Sequence, residues 1–208
     1  MATTCWSEGD TAFMLFATTV VMLQTPAMGL AQAGMIRRKN ALSMLMQTLT
    51  GMSIGSLLWF AFGYSFVFGK SMGGVLGNLD NAFLMKTIGT YADPQLGCNA
   101  AYAATVPETI YVAFQMMFAL MVPVIVTGSW AERMTFEAFL VFVTLWPFFV
   151  YYPLAHWVWN VDGWLSTVVG ARDFAGGLTI HTSSGVAALV VSLMLQRRRV
   201  TRAKPHNL

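Results

Sequence analysis

The chain has 208 residues, of which 56% are hydrophobic and 10% charged, with a formal net charge of +3. One aqueous core cannot hide that much apolar surface, so a water-soluble globular domain is excluded and the bilayer is the expected solvent. The positive balance would fit a nucleic-acid partner, but the positions of the charges give a better account of it, and no nucleic acid is expected.

Crossing about 30 Å of hydrocarbon takes about 20 residues at 1.5 Å each. Five runs are long enough, at 11–35, 41–68, 106–128, 136–157 and 177–196. The expected fold class is therefore all-α, a polytopic membrane protein with five transmembrane helices. With the amino terminus outside, the inner side holds Arg37, Arg38, Lys39, Arg133, Arg197, Arg198, Arg199, Arg202 and Lys204, nine of the twelve basic residues. Lys70, Lys86 and Arg172 then lie outside with seven of the nine acids, which is the orientation that the excess of basic residues on cytoplasmic loops selects. MATTCWSEGD has no basic region ahead of the first apolar run, so no cleaved secretory signal is expected. Cys5 and Cys98 share the outer side, and an internal bridge, two free thiols or a bond to a neighbouring subunit all stay open.

In chain order, Asp10 is expected to cap the first helix, and Pro26 to kink it beside Gly29 and Gly34. Gln24 and Gln32 read as interhelical hydrogen bonders, and Gly51 with Gly55 as a close helix contact. The stretch 69–104 is polar and glycine-rich, an outer loop with a short helix at 83–88. Thr105, Pro107 and Glu108 form a T-x-x-E capping box at the start of the third helix. Phe114 and Phe118 are four residues apart and share a face, where plain packing is the default reading. In SWAERMTF, Glu132 and Arg133 cap and pin the helices around the inner turn. The fourth helix carries Pro147 and Pro153; Trp157, Trp159 and Trp164 read as an interfacial belt, with one of them facing a vestibule as the sharper alternative. The segment 197–208 is a cytoplasmic basic tail.

The densest chemistry lies in DFAGGLTIH, 173–181. An ionisable residue inside a membrane is a functional hypothesis by default, so His181 is the first candidate, expected where water is scarce. Gly176 and Gly177 would let another helix or a narrow pathway come close. Asp173 would accept the orphan N–H groups of the helix start. A capped helix with a hydrogen-bonded core histidine is the bland alternative. There is no phosphate loop, zinc pattern or paired nucleophile and base, so no enzyme, metal or cofactor is expected.

The series TPAMGLAQAGMIRRKNALSMLMQ, YVAFQMMFA, GSWAERMTF, PLAHWVWNVDGWL, DFAGGLTIHTSSG and KPHNL closely resembles the ammonium transporter family (Amt/Mep/Rh), in order along nearly the whole chain. The resemblance implies eleven helices built as two inverted five-helix repeats plus a final helix, assembled as trimers with a pore in each subunit. It implies ammonium and ammonia as cargo and the plasma membrane as location. Phe114, Phe118 and Trp159 resemble the outer recruitment site, and Phe118 also one of two gate phenylalanines. His181 resembles the first of two pore histidines, and Asp173 the aspartate that organises the vestibule. Ala31 and Gln32 depart from the aromatic pair of many relatives. The chain corresponds to the amino-terminal half, so a fragment, a truncated product or a half needing a partner is expected. An ammonium sensor and a non-conducting regulatory membrane subunit are the alternative functions.

Overall fold

The computed structural model describes residues 5–90 and 97–195, with the side chains of 88–90 excepted. Five helices are long and apolar enough to cross a bilayer: Glu8–Gly34, Arg38–Phe68, Glu108–Trp130, Phe136–Thr167 and Gly177–Met194. Helices serve here because hydrocarbon offers no partner to a backbone N–H or C=O, so each segment must satisfy its own. These are the five expected spans, with ends within three residues of expectation except that the fourth runs to Thr167 rather than to 157. The basic residues of 197–204 lie outside the described residues.

The third span is the hub, packed against the first, second and fifth. Its most apolar window is 56% buried, against 11% for the first span and 22% for the fifth. Those two therefore present most of their apolar side chains, including Phe13, Phe16, Leu23, Leu189 and Leu193, outward. Close crossings depend on small residues, as expected where helices associate without a hydrophobic drive. A Cβ on Gly29 would stand 2.5 Å from Thr48 Oγ1, and one on Gly55 2.8 Å from Leu120 Cδ2. Gly51 instead lies at ordinary contact from Phe139, 3.6 Å, so the Gly51–Gly55 pair serves two different neighbours.

Polar side chains fix the register between spans. Gln32 Nε2 donates to the Val124 carbonyl at 3.0 Å and its Oε1 accepts from Thr127. Trp59 Nε1 donates to the Val112 carbonyl at 3.2 Å, and Trp130 Nε1 to Gln47 Oε1 at 3.1 Å. Each such bond within a membrane stabilises by about 0.6 kcal/mol on average. The first helix runs unbroken through Pro26. The third is likewise continuous, whereas wide π-helical turns occur in the second, fourth and fifth at Trp59–Gly63, Pro147–Tyr151 and Gly177–Thr182; at the second of these Pro147 brings no N–H to the ladder.

Two expected caps are placed differently. Ser7, not Asp10, caps the first helix, its hydroxyl accepting from the Asp10 N–H at 3.3 Å. The T-x-x-E box does not form, because Thr105 belongs to a strand and Glu108 Oε1 takes Tyr64 Oη at 2.6 Å and Asn99 Nδ2 at 2.9 Å. The connection between the second and third spans holds the short helical turns Ala82–Leu84 and Met85–Thr90 where one helix was expected. It also holds two hairpins that no sequence period announced, β1 (Ser71–Met72) with β2 (Leu76–Gly77) and β3 (Cys98–Asn99) with β4 (Ala103–Pro107). Cys5 and Cys98 form an internal disulfide, and the Ser7 N–H donates to the Thr105 carbonyl at 2.8 Å. The segment that leads into the first span is thereby tied to the start of the third span.

Candidate functional site

The fifth span begins with a turn that the backbone makes in the left-handed region, at Ala175 (φ 55) and Gly176 (φ 77). A Cβ on Gly176 would lie 2.5 Å from Ile180 Cδ1. The glycine there serves this turn rather than the approach of a neighbouring helix. The turn aims the first N–H groups of the span at Asp173, whose Oδ1 accepts from the Leu178 N–H at 2.9 Å and Oδ2 from the Thr179 N–H at 3.4 Å. Such orphan donors otherwise need water, and a carboxylate beside them also favours the positive end of the helix dipole.

The same carboxylate holds the end of the fourth span. Asp173 Oδ2 accepts from Trp159 Nε1 at 2.9 Å, which fixes the indole against Phe118, centroid to centroid 6.4 Å at 67°. Phe118 meets Phe114 at 4.9 Å and 86°. Both contacts are edge-to-face, the arrangement that ring quadrupoles prefer. Of the three tryptophans, only Trp159 joins this group. Trp157 donates to the Val75 carbonyl at 3.0 Å and packs 5.6 Å from Trp164.

Phe118 also lines a cavity of about 450 Å³ between the first, third and fifth spans, whose walls include Gln24, Met121, Ile180 and His181. Phe118 thus belongs both to the aromatic group and to the lining that His181 shares. His181 sits in the π-helical turn Gly177–Thr182, its N–H bonded to the Gly176 carbonyl at 3.0 Å. The hydroxyls that follow are turned onto their own helix, with Ser183 and Ser184 both donating to the Ile180 carbonyl. The imidazole is exposed and has no hydrogen-bond partner among the described residues. That differs from the water-poor surroundings expected of it, because the face of the fifth span that carries it is left uncovered by the other four.

A second histidine escaped sequence reasoning. His156 is fully buried in the fourth span, its Nδ1 2.9 Å from the Val67 carbonyl and its Nε2 2.9 Å from Ser71 Oγ. A carbonyl only accepts, so Nδ1 carries a proton. Asn160, four residues on, donates to the Val67 and Gly69 carbonyls at 2.9 Å each. The i, i+4 spacing of His156 and Asn160 was the available signal.

At the other end of the bundle, Glu132 joins the turn between the first two spans to that between the third and fourth. Its Oε1 accepts from Arg37 Nε at 2.8 Å and Asn40 Nδ2 at 2.7 Å. Glu132 therefore pins these turns as expected, whereas Arg133 turns to the Ser129 carbonyl.

Residues 12–208 match the model of the Ammonium Transporter Family. The chain is 42% identical over 191 residues to Ammonium transporter 1 of Dictyostelium discoideum, covering 92% of this chain and 40% of that protein. It is 43% identical over 201 residues to the ammonium transporter of Bacillus subtilis strain 168, covering 96% and 47%. Among solved structures it resembles Mep2 of Candida albicans, with a TM-score of 0.78 at 33% identity over 93% of this chain and 40% of that one. It also resembles a protein described as a sensor Amt protein, with a TM-score of 0.75 at 27% identity over 90% and 44%. The chain thus spans less than half the length of these relatives, in sequence and in structure alike, and on the match over nearly all of its own residues it belongs to the ammonium transporter family.

Proposed function

We propose that this chain supplies the outer vestibule and the first histidine of an ammonium-conducting pore. The linkage from Asp173 through Trp159 and Phe118 to the cavity of His181 carries the reading. Ammonium would be drawn to the faces of Phe114, Phe118 and Trp159, an attraction of about 2 kcal/mol or more where the cation is desolvated. Asp173, held by three donors, sets the indole in place. Past Phe118, His181 accepts an N–H from the cargo or relays its proton. An alkali cation offers no N–H, which supplies selectivity. The rest of the fold covers the open face of the fifth span, and the working assembly is a trimer in the plasma membrane.

The amino terminus lies outside and the carboxyl terminus in the cytoplasm. Arg37, Arg38, Lys39 and Arg133 at one end and the Cys5–Cys98 disulfide at the other support this orientation, since cytoplasmic loops are rich in Lys and Arg and disulfides persist in oxidising compartments. An ammonium-sensing role is the second reading, favoured by the likeness to the sensor Amt protein.

The test is current per folded trimer, with this chain joined to the remainder of the fold. His181→Ala should abolish charge-moving ammonium transport, while His181→Glu keeps some passage but admits potassium, because a carboxylate attracts both cations. Normal ammonium current per trimer in His181→Ala would remove this residue from the mechanism. Phe114→Ala and Trp159→Leu should shift the concentration dependence at unchanged surface abundance; if neither does, the vestibule assignment fails. Ammonium-dependent signalling without current in the unmodified protein would favour the sensor.

A further inference from the structure

Gln24 and Gln32 both belong to the first span, and both were expected to bond to a neighbouring helix. The structure separates them. Gln32 uses both ends of its amide, Nε2 on the Val124 carbonyl at 3.0 Å and Oε1 on the Thr127 hydroxyl. Gln24 uses neither: its side chain is exposed and has no hydrogen-bond partner among the described residues. Eight residues are about 12 Å along a helix, so the two amides stand at different depths. A free amide in an apolar span is costly, because hydrocarbon offers nothing to its two N–H groups or to its oxygen.

What Gln24 meets instead is the cavity of His181. The first span brings Gln24 to its wall, the third Phe118 and the fifth His181, and the remaining lining is aliphatic or thioether. Among the described residues that line it, Gln24 and His181 carry the only hydrogen-bonding side chains, and neither is engaged elsewhere. Ala27, three residues on, adds only a methyl group to the same wall. A few polar groups converging from different elements on an apolar cavity are the pattern of a site for a small molecule.

We propose that Gln24 is a second contact for the cargo in this cavity, its Oε1 accepting one N–H of ammonium while His181 takes another. The proposal rests on the pore reading above and adds a specificity-determining residue to it. A neutral imidazole has one acceptor nitrogen, whereas a carboxamide has an acceptor oxygen and two donor hydrogens and carries no charge. When ammonium passes a proton to the imidazole, one N–H bond breaks and another forms, leaving ammonia with a lone pair and the charge on the ring. The amide suits both forms, since its oxygen accepts from either and its NH2 donates to the lone pair. Potassium gains little from it, because replacing the water around an alkali cation takes a ring of oxygens and not a single one.

Current per folded trimer, with this chain joined to the remainder of the fold, tests this in ammonium and in potassium, with His181→Ala run alongside. Gln24→Leu, which keeps the bulk and removes the oxygen, should raise the half-saturating ammonium concentration about tenfold. Gln24→Glu keeps an oxygen and adds a charge, so ammonium current should persist while potassium current rises about tenfold relative to it. An unchanged half-saturating concentration in Gln24→Leu beside a silent His181→Ala would overturn the proposal and leave the pore standing. Normal current in His181→Ala would overturn the pore reading and this proposal with it. Fewer trimers, each with ordinary half-saturation, would mean that the amide bonds to the rest of the fold, and would overturn it too. Should Gln24→Leu not assemble, Gln24→Glu decides alone, since potassium excluded as in the parent would refute the contact.

Discussion

The two histidines of the apolar spans stand in opposite circumstances. His156 is enclosed in the fourth span and uses both ring nitrogens, on the Val67 carbonyl and on Ser71 Oγ. His181, in the fifth span, meets an open cavity with no partner among the described residues. The first welds the hairpin β1–β2 to the second and fourth spans, and its whole hydrogen-bonding capacity is spent on the fold. The second spends none of its ring there. A histidine that the fold does not need is available to something else, and this separates a structural from a functional role better than burial does.

Exchange of single side chains can break that contrast. His156→Leu should cost about 2–4 kcal/mol, because the Val67 carbonyl and the Ser71 hydroxyl lose a partner inside the bundle. His181→Ala should change stability by less than about 0.5 kcal/mol, as at an exposed site without contacts. Unfolding of the purified chain in mixed micelles, followed by helical signal, measures both. Equal losses in the two variants would make His181 a second structural histidine and undo its assignment to the pore.

Asp173 sharpens the comparison, since it has one foot in each role. Its carboxylate takes two backbone N–H groups and the Trp159 indole. Asp173→Ala should lose about 1–2 kcal/mol for the cap, and Asp173→Asn less, since its one amide oxygen can replace Oδ1 and keep Leu178, or replace Oδ2 and keep Trp159 and Thr179, but not do both. The emission of Trp159, isolated by replacing the other tryptophans with phenylalanine where folding allows, should shift in both variants. An unchanged spectrum with full stability would mean that Trp159 is held by packing on Phe118 alone.

The spans, the pinning role of Glu132 and the bonding of Gln32 were legible in the sequence because each depends on composition or on one residue's chemistry. Asp10 failed as a cap because tertiary ties set the start of the helix: the Ser7 N–H is held by Thr105 and Cys5 by Cys98. The T-x-x-E box failed for the same kind of reason, since pairing of β3 with β4 draws Thr105 into a strand and Tyr64 and Asn99 claim Glu108. The individual members of the candidate site could be named from their motifs. The bond from Trp159 to Asp173 could not, because it joins residues across a turn whose left-handed backbone at Ala175 and Gly176 no period reveals.

Glu132 offers a smaller effect than Asp173 and tests whether the opposite end of the bundle is as self-contained as the surroundings of His156. Its side chain is 5% exposed. Burial pushes its pKa up, but hydrogen bonds from Arg37 and Asn40, with the Arg37 charge, outweigh burial and hold it below the ordinary carboxylate value. A carboxylate with a lowered folded pKa binds protons more readily when unfolded, so the stability it contributes is present at neutral pH and is lost as the pH falls through the folded value. Arg37 is 32% exposed, so solvent screens the pair and about 1 kcal/mol is the expected scale. Glu132→Gln keeps an oxygen for Asn40 but not the charge for Arg37. It should therefore be less stable than the parent at pH 7, and the gap should close as the pH falls through the folded value of Glu132, below which both side chains are neutral. A gap that persists at low pH would mean that the carboxamide misfits the turn at Glu132, whose φ is 64, and that shape rather than charge holds this end together.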